Sequence, residues 1–425
     1  MNAWIARVLQ SKRFLWIVIG VALLVRACYA LRQPMDERDA DVYRELGHNL
    51  AAGRGYTYYQ QGADTRWPPL VPWMLAAVYK LGGNDLAARQ LWAWLGTFCV
   101  LAAFALVNTP HERMAANLAA LGMALYPYNI LMGGSTSTET PNILLILTGF
   151  GLLRRWIRTG TSTVAVLLGV VLGLAVLNRP AMVAYGLLCL VIMVSRGHPL
   201  VLRKRVLGTS LCAMIAVVVA LPWCIRTSRL AGEPSLTATA GAWVLWEGNN
   251  PWIIDYTEGR LSSATFGSNL TAVASAPGLS PAEKNAAYRA AAFRFFREQT
   301  GEALRVLACK TVKFWQIPGT STVATTPSAR KFKWAVIAIG CISYVPVAIG
   351  CGWGIIYLTP RGALGRIAFY LTWIGIAYLT SIGGASVTRY RFLNGVDCLM
   401  IVIFVTALAV RSTTGRAKEF HQTIP

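Results

Sequence analysis

Apolar residues along this chain gather into runs longer than a soluble core would require. Ten stand out, at 14–31, 86–107, 114–132, 141–153, 164–177, 181–195, 206–225, 334–358, 367–382 and 394–410, nearly free of charge inside and bounded by basic clusters. A bilayer-spanning helix takes ~20 largely apolar residues, and the shorter runs reach that length by taking in their flanks. The pattern predicts a mostly α, polytopic integral membrane protein with about ten transmembrane helices. The run 14–31 exceeds the ~7–15-residue core of a signal peptide and holds Arg26 near its far end, so it reads as a retained span.

The turns between runs set the orientation. With the N-terminus inside, every short inner turn is basic: Lys12 and Arg13, Arg113, Arg154 with Arg155 and Arg158, Arg203 to Arg205, Arg361 with Arg366, and Arg411 with Arg416 and Lys418. That is the positive-inside asymmetry, and it places both termini in the cytoplasm. Two long segments, 32–85 and 226–333, then fall outside. The expected organisation is an N-terminal membrane module over 1–225, an extracytoplasmic α-containing domain over 226–333 and a C-terminal membrane module over 334–425.

Within the first outer segment, Val42, Leu46 and Leu50 recur at helical spacing among charges over 38–52, the signature of a helix lying flat at the interface. A turn-rich aromatic stretch follows, and Pro68 and Pro69 open a short apolar piece over 70–81 that also suits the interface. In the second outer segment, Ser280-Pro281-Ala282-Glu283 predicts a capping box and a helix from 281 to about 299. A second amphipathic helix is expected over 302–315, and the pair carries Arg289, Arg294, Arg297, Arg305, Lys310 and Lys313.

Composition sharpens the class. Hydrophobic residues make up 55% and charged residues 14%, with 40 Lys and Arg against 18 Asp and Glu. The net +22 belongs to membrane surfaces and anionic lipid-linked groups rather than to a nucleic acid, because a soluble nucleic-acid binder carries no bilayer-length runs. The nine cysteines include no CxxC pair, and most lie in apolar runs as small hydrophobes. The histidines are dispersed, with His48 the only one outside, so no His/Cys metal constellation and no cofactor requirement is visible; dependence on a divalent metal stays open.

Candidate chemistry lies on the outer side. Asp36, Glu37, Asp39 and Asp41 crowd into six positions; helix-dipole complementarity accounts for one or two of them, and a general base acting on an acceptor is the functional alternative. Arg66, Arg179, Arg389 and Arg391 stand at outer ends of runs, either as interface anchors or as a guanidinium clamp on a lipid phosphate. Lys313 is a further phosphate candidate. Glu139 opens the fourth run within a Ser/Thr cluster, and Asn249 and Asn250 form a turn behind Trp243 and Trp246. With Tyr56, these three are candidates for sugar or acceptor recognition.

Five motifs in order then resemble a known family. Asp39 to Tyr43 with Asn49 to Tyr56, Arg66 to Pro72, Ser137 to Asn142, Leu177 to Pro180, and Pro222 to Arg226 with Gly248 to Pro251 are similar to bacterial members of the dolichyl-phosphate-mannose protein mannosyltransferase-like group. These are glycosyltransferases of the C superfamily that include the aminoarabinose transferase of lipid A. The resemblance runs from about 14 to 410. Trp67 displaces Arg66 one position from the Pro pair, and the segment after Arg391 lacks the family's prolines.

The resemblance implies a polyprenyl-phosphate-linked sugar as donor and a glycan, lipid or protein as acceptor. It implies a site on the outer face of a bacterial cell membrane, with Asp39 as the base and Asp41 its rival. One in-line displacement then inverts the anomeric carbon and releases the polyprenyl phosphate. The competing class is a transporter or flippase of lipid-linked sugars, which favours ionisable groups near the midplane, whereas the acids here cluster at the outer surface.

Overall fold

The computed structural model describes residues 3–32, 38–58, 62–108, 112–195, 200–317, 333–362, 364–384 and 395–422. Among the described residues the apolar runs fall on helices, with 114–132 divided between two. An amphipathic helix α1 (Ala3–Gln10) leads into α2 (Lys12–Arg32), and α3 (Arg38–Ala51) and α4 (Leu70–Lys80) fall in the segment 32–85. The bundle continues with α5 (Asp85–Val107), α6 (Arg113–Leu125), α7 (Pro127–Met132), α8 (Glu139–Thr159), α9 (Ser162–Asn178), α10 (Val183–Val194) and α11 (Leu202–Ala231). Among the described residues, four helices are long and apolar enough to cross a membrane: α2, α5, α11 and 337–361.

The segment 226–333 holds α12 (Gly241–Gly248), α13 (Ile253–Thr257), α14 (Ser263–Ala272), α15 (Pro281–Glu298) and α16 (Thr300–Trp315). They close over a core of their own containing Trp246, Ile254, Phe266, Leu270, Phe295 and Val306. The capping box is formed: Ser280 Oγ accepts from Glu283 N–H, and Glu283 Oε2 accepts from Ser280 N–H at 2.7 Å. The helix expected from 302 begins two residues earlier, at Thr300, whose hydroxyl donates to the Phe296 carbonyl. The bundle is completed by α17 (Lys333–Leu358), α18 (Ala368–Gly384) and α19 (Val396–Gln422).

Two features of the bundle have clear causes. The apolar run 114–132 is not one helix, because Pro127 lacks the N–H that would continue it and α6 ends at Leu125. The α9–α11 pair approaches unusually closely: a Cβ at Gly169 would stand 2.5 Å from the Cys212 carbonyl, and one at Gly173 2.6 Å from Val219 Cβ. This GxxxG seam lets two backbones touch, the usual packing device where no water drives apolar faces together.

Loop contacts define two ends of the bundle. At one, Asn117 donates to the carbonyls of Leu9 and Ser11, and Glu112 lies 4.0 Å from Arg154 and 3.0 Å from Arg366. At the other, Asn178 donates to Thr138 O, Thr239 N–H to Thr65 O and Asn249 to Gly383 O. The second end gathers helices of both long segments, 32–85 and 226–333, and most of the candidate residues that are described.

Candidate active site at one end of the bundle

Helix α3 is laid against the bundle by its apolar stripe. Val42 and Leu46 bury against Tyr56, Leu177 and Trp223, while Tyr43 on the adjoining face packs with Val71, Leu75 and Trp92. The opposite side is polar. Asp39 lies in the first turn of α3, and Asp41 is exposed and ion-paired with Arg44. Arg44 in turn comes within 4.0 Å of Asp85, whose Oδ1 accepts from Tyr79 OH at 2.6 Å and sits 3.2 Å from His48 Nε2. The His48 ring stacks on Tyr79 at 3.8 Å. This cluster joins α3, α4 and the start of α5, fixing the helix that bears the acids. Asp36 and Glu37 lie outside the described residues, as do Arg389 and Arg391.

The arginine expected to contact phosphate is already oriented. Buried Asp64 accepts the Arg66 backbone N–H at 2.7 Å, and its Oδ2 accepts from Nε and Nη2 at 3.1 and 2.9 Å, leaving the half-exposed guanidinium facing outward. Arg226 arrives from the end of α11, donating to Asp64 O at 3.1 Å and standing 4.4 Å over the Trp223 ring and 5.2 Å over Tyr56. Two guanidiniums thus flank residue 64. Neither Asp64 nor Arg226 was singled out as a site residue from sequence; the acid two places before Arg66 and the arginine closing the 222–226 motif were the available signals.

Tyr56 is buried, and its hydroxyl donates to the carbonyls of Trp67 and Pro68 at 3.0 and 3.1 Å. Burial pushes the phenol well above its ordinary value, with Tyr43 and Asp64 adding to the effect. It braces the turn that presents Arg66. Glu139 is buried at the first position of α8, next to Thr138, whose Oγ1 accepts from Arg179 at 3.3 Å and whose carbonyl accepts from Asn178. Arg179 and Glu139 are therefore neighbours across the α8–α9 junction. Trp223 Nε1 donates to Thr237 O, and Thr237 Oγ1 to Val176 O, tying this junction to the end of α11.

The asparagine turn is built differently. Asn249 and Asn250 are fully buried, and their amides donate to Leu245 O and Gly383 O and to Trp246 O and Glu247 O. In this arrangement they shape the turn and dock it on α18. Asn249 Oδ1 accepts from Lys310 Nζ at 2.9 Å, and the same amine donates to Ile382 O at 3.1 Å. Burial pulls the Lys310 ammonium down to about 7. Lys313, half-buried, is lowered for the same reason. The described residues contain no group of three potential metal ligands.

Comparison with known proteins bears on this end of the molecule. Residues 66–225, which include Arg66, Glu139 and Arg179, match the family model of the dolichyl-phosphate-mannose-protein mannosyltransferases. The match takes in the motifs at 66–72, 137–142 and 177–180. No curated protein matches. Among solved structures, the oligosaccharyltransferase AglB of Archaeoglobus fulgidus in complex with an inhibitory peptide and a dolichol-phosphate is similar over 96% of this chain and 51% of its own. Its TM-score is 0.51 at 14% identity. The oligosaccharyltransferase of the same organism tethered to an acceptor peptide gives 0.56 at 14% identity, over 94% and 50%. ArnT of Cupriavidus metallidurans bound to undecaprenyl phosphate gives 0.46 at 17% identity, over 96% and 78%. The chain spans about half the length of the archaeal enzymes, and the likeness to them is one of fold.

Proposed function

We propose that the chain is an inverting glycosyltransferase that moves a sugar from a polyprenyl-phosphate donor to a glycan, lipid or protein acceptor at the extracytoplasmic face of a bacterial cell membrane. Ten crossings with both termini cytoplasmic complete the reading. The observation that carries it is the convergence, at one end of the bundle, of the acid-bearing α3 with Arg66, Arg179 and Arg226.

The chemistry follows from those groups. Asp39 takes the acceptor proton, with Asp41 as its rival, while the nucleophile attacks the anomeric carbon in line. The leaving phosphate needs no strong general acid, but its charge needs donors; a preorganised donor in a water-poor site is worth ~3–4 kcal/mol in the transition state. Arg66 and Arg179 supply them, with Arg389, Arg391 and Lys313 as further phosphate ligands. Glu139 orients the sugar or the acceptor.

The test is reconstitution in liposomes with a panel of polyprenyl-phosphate sugars, scoring released polyprenyl phosphate and glycosylated acceptor together. Release that requires an acceptor supports transfer. Movement of intact donor across the bilayer without release from any panel member overturns transfer in favour of a flippase.

A further inference from the structure

Helices α6 and α7 would be continuous but for Pro127. Proline has no N–H, so the Met123 carbonyl four residues earlier loses the donor a regular helix would supply. Extended Tyr126 (φ −65°, ψ 114°) then carries the chain out of register beyond Ala124. The last regular bond of α6 runs from Tyr126 N–H to Gly122 O. Inside an apolar bundle no water is at hand to replace what is missing.

Arg26 reaches across from α2 to this point. Its Nη2 donates to Met123 O at 3.0 Å, and its Nη1 to Ala124 O at 3.2 Å and to Ala22 O at 3.1 Å. The side chain is 0% exposed. Two glycines make room for it: a Cβ on Gly96 would stand 3.0 Å from Arg26 Cδ and Nε, and one on Gly133 3.2 Å from Cδ. Beyond the break, α7 delivers Met132, whose carbonyl accepts from Thr140 Oγ1 at 2.7 Å, and the buried stretch 133–139 follows at once. Trp92 Nε1 holds that stretch by donating to Ser137 O at 2.8 Å. Tyr126 itself donates to Asp397 on α19 at 2.5 Å.

We infer that Arg26 is a positioning residue: its guanidinium replaces the backbone donor that Pro127 deletes, holds the α6–α7 break at one angle, and so sets the loop that leads into Glu139 at the start of α8. Only the last step, the effect on turnover, rests on the glycosyltransferase reading. The pairing of a side chain with a missing N–H makes a specific demand. If Arg26 serves the carbonyl that Pro127 orphans, restoring an N–H at 127 should make Arg26 dispensable.

The experiment is a cycle of Arg26→Met, Pro127→Ala and the double variant, with Arg26→Lys as the milder probe, in full-length protein in nanodiscs. A Ser135→Cys reporter in a Cys28→Ser background reads the loop, since Ser135 is buried. Arg26→Met should speed maleimide labelling at position 135 by ~10-fold through local opening, with Arg26→Lys between it and the parent. The double variant should return to within ~3-fold of the parent. In the same set, kcat should fall ~10-fold in Arg26→Met with donor KM within ~2-fold, and recover in the double variant. Should Arg26→Met not fold, recovery of folded protein by adding Pro127→Ala is the same rescue. Unchanged labelling in Arg26→Met, or a double variant no closer to the parent than Arg26→Met, overturns the inference. A parent that transfers no sugar sinks the catalytic reading, while the labelling cycle still decides the role of Arg26.

Discussion

A carboxylate used as a general base can be replaced by its amide in shape but not in proton affinity. Asp39→Asn should therefore leave donor binding intact and lower turnover ~10²–10⁴-fold, read by released lipid phosphate. Asp41→Asn should cost much less, because that carboxylate is exposed and held by Arg44. Full activity with both replaced would remove the displacement mechanism. Arg179→Ala should weaken donor binding more than Arg179→Lys, since lysine keeps the charge and loses the fork; equal affinity in both would make it an interface anchor. Lys310 carries a pH signature. Its folded value of about 7 lies below the ordinary 10.5, so the burial penalty is fully present below pH ~7 and fades as the unfolded chain also loses its proton, up to ~10.5. Thermal stability should rise with pH across that window more steeply in the parent than in Lys310→Met, and parallel curves would contradict the assignment. The motifs led to 39–43, 49–56, 66–72, 137–142, 177–180, 222–226 and 248–251, yet not to the Asp64 fork or the Lys310 amine. The fork depends on a turn geometry that a two-residue spacing does not announce, and the amine on Asn249 and Ile382, 61 and 72 residues away. A lysine in the buried stripe Ala303, Val306, Lys310, Phe314 was nevertheless a readable irregularity.

At the scale of elements, hydrophobic period and capping chemistry located helices because these are local properties: α3, α4 and α15 begin and end within a residue or so of where Val42, Pro69 and Ser280 put them. The α6–α7 break and the GxxxG seam were not legible in the same way. A proline in an apolar run kinks, ends or spares a helix according to what waits to receive its orphaned carbonyls, and small residues gain meaning only from the helix opposite. The seam predicts a contrast. Gly173→Val should lower stability by ~1–3 kcal/mol, the usual penalty for overpacking, since Val219 already fills the space. Gly151→Ala, with open space around its Cα, should be neutral or gain up to ~1 kcal/mol of helix propensity. Equal melting temperatures for the two variants would show that α9 and α11 separate freely.

For the whole molecule, the proposed orientation is testable without any substrate. Exposed Ser268→Cys should react with a membrane-impermeant maleimide in intact cells, and exposed Thr159→Cys only after permeabilisation; the reverse pattern would put the candidate site in the cytoplasm and end the reading. The Arg26 contact also has a consequence in time. Its acceptor on Met123 lies 97 residues downstream, and at ~5–20 residues per second of synthesis that acceptor is made about 5–20 s after Arg26 itself. Until then α2 carries a guanidinium that lacks its α6 acceptors, worth ~2.5–3.5 kcal/mol against release into lipid. Nascent chains should accordingly stay crosslinkable to the insertion machinery through α2 until α6 has been synthesised, and Arg26→Leu chains should depart earlier.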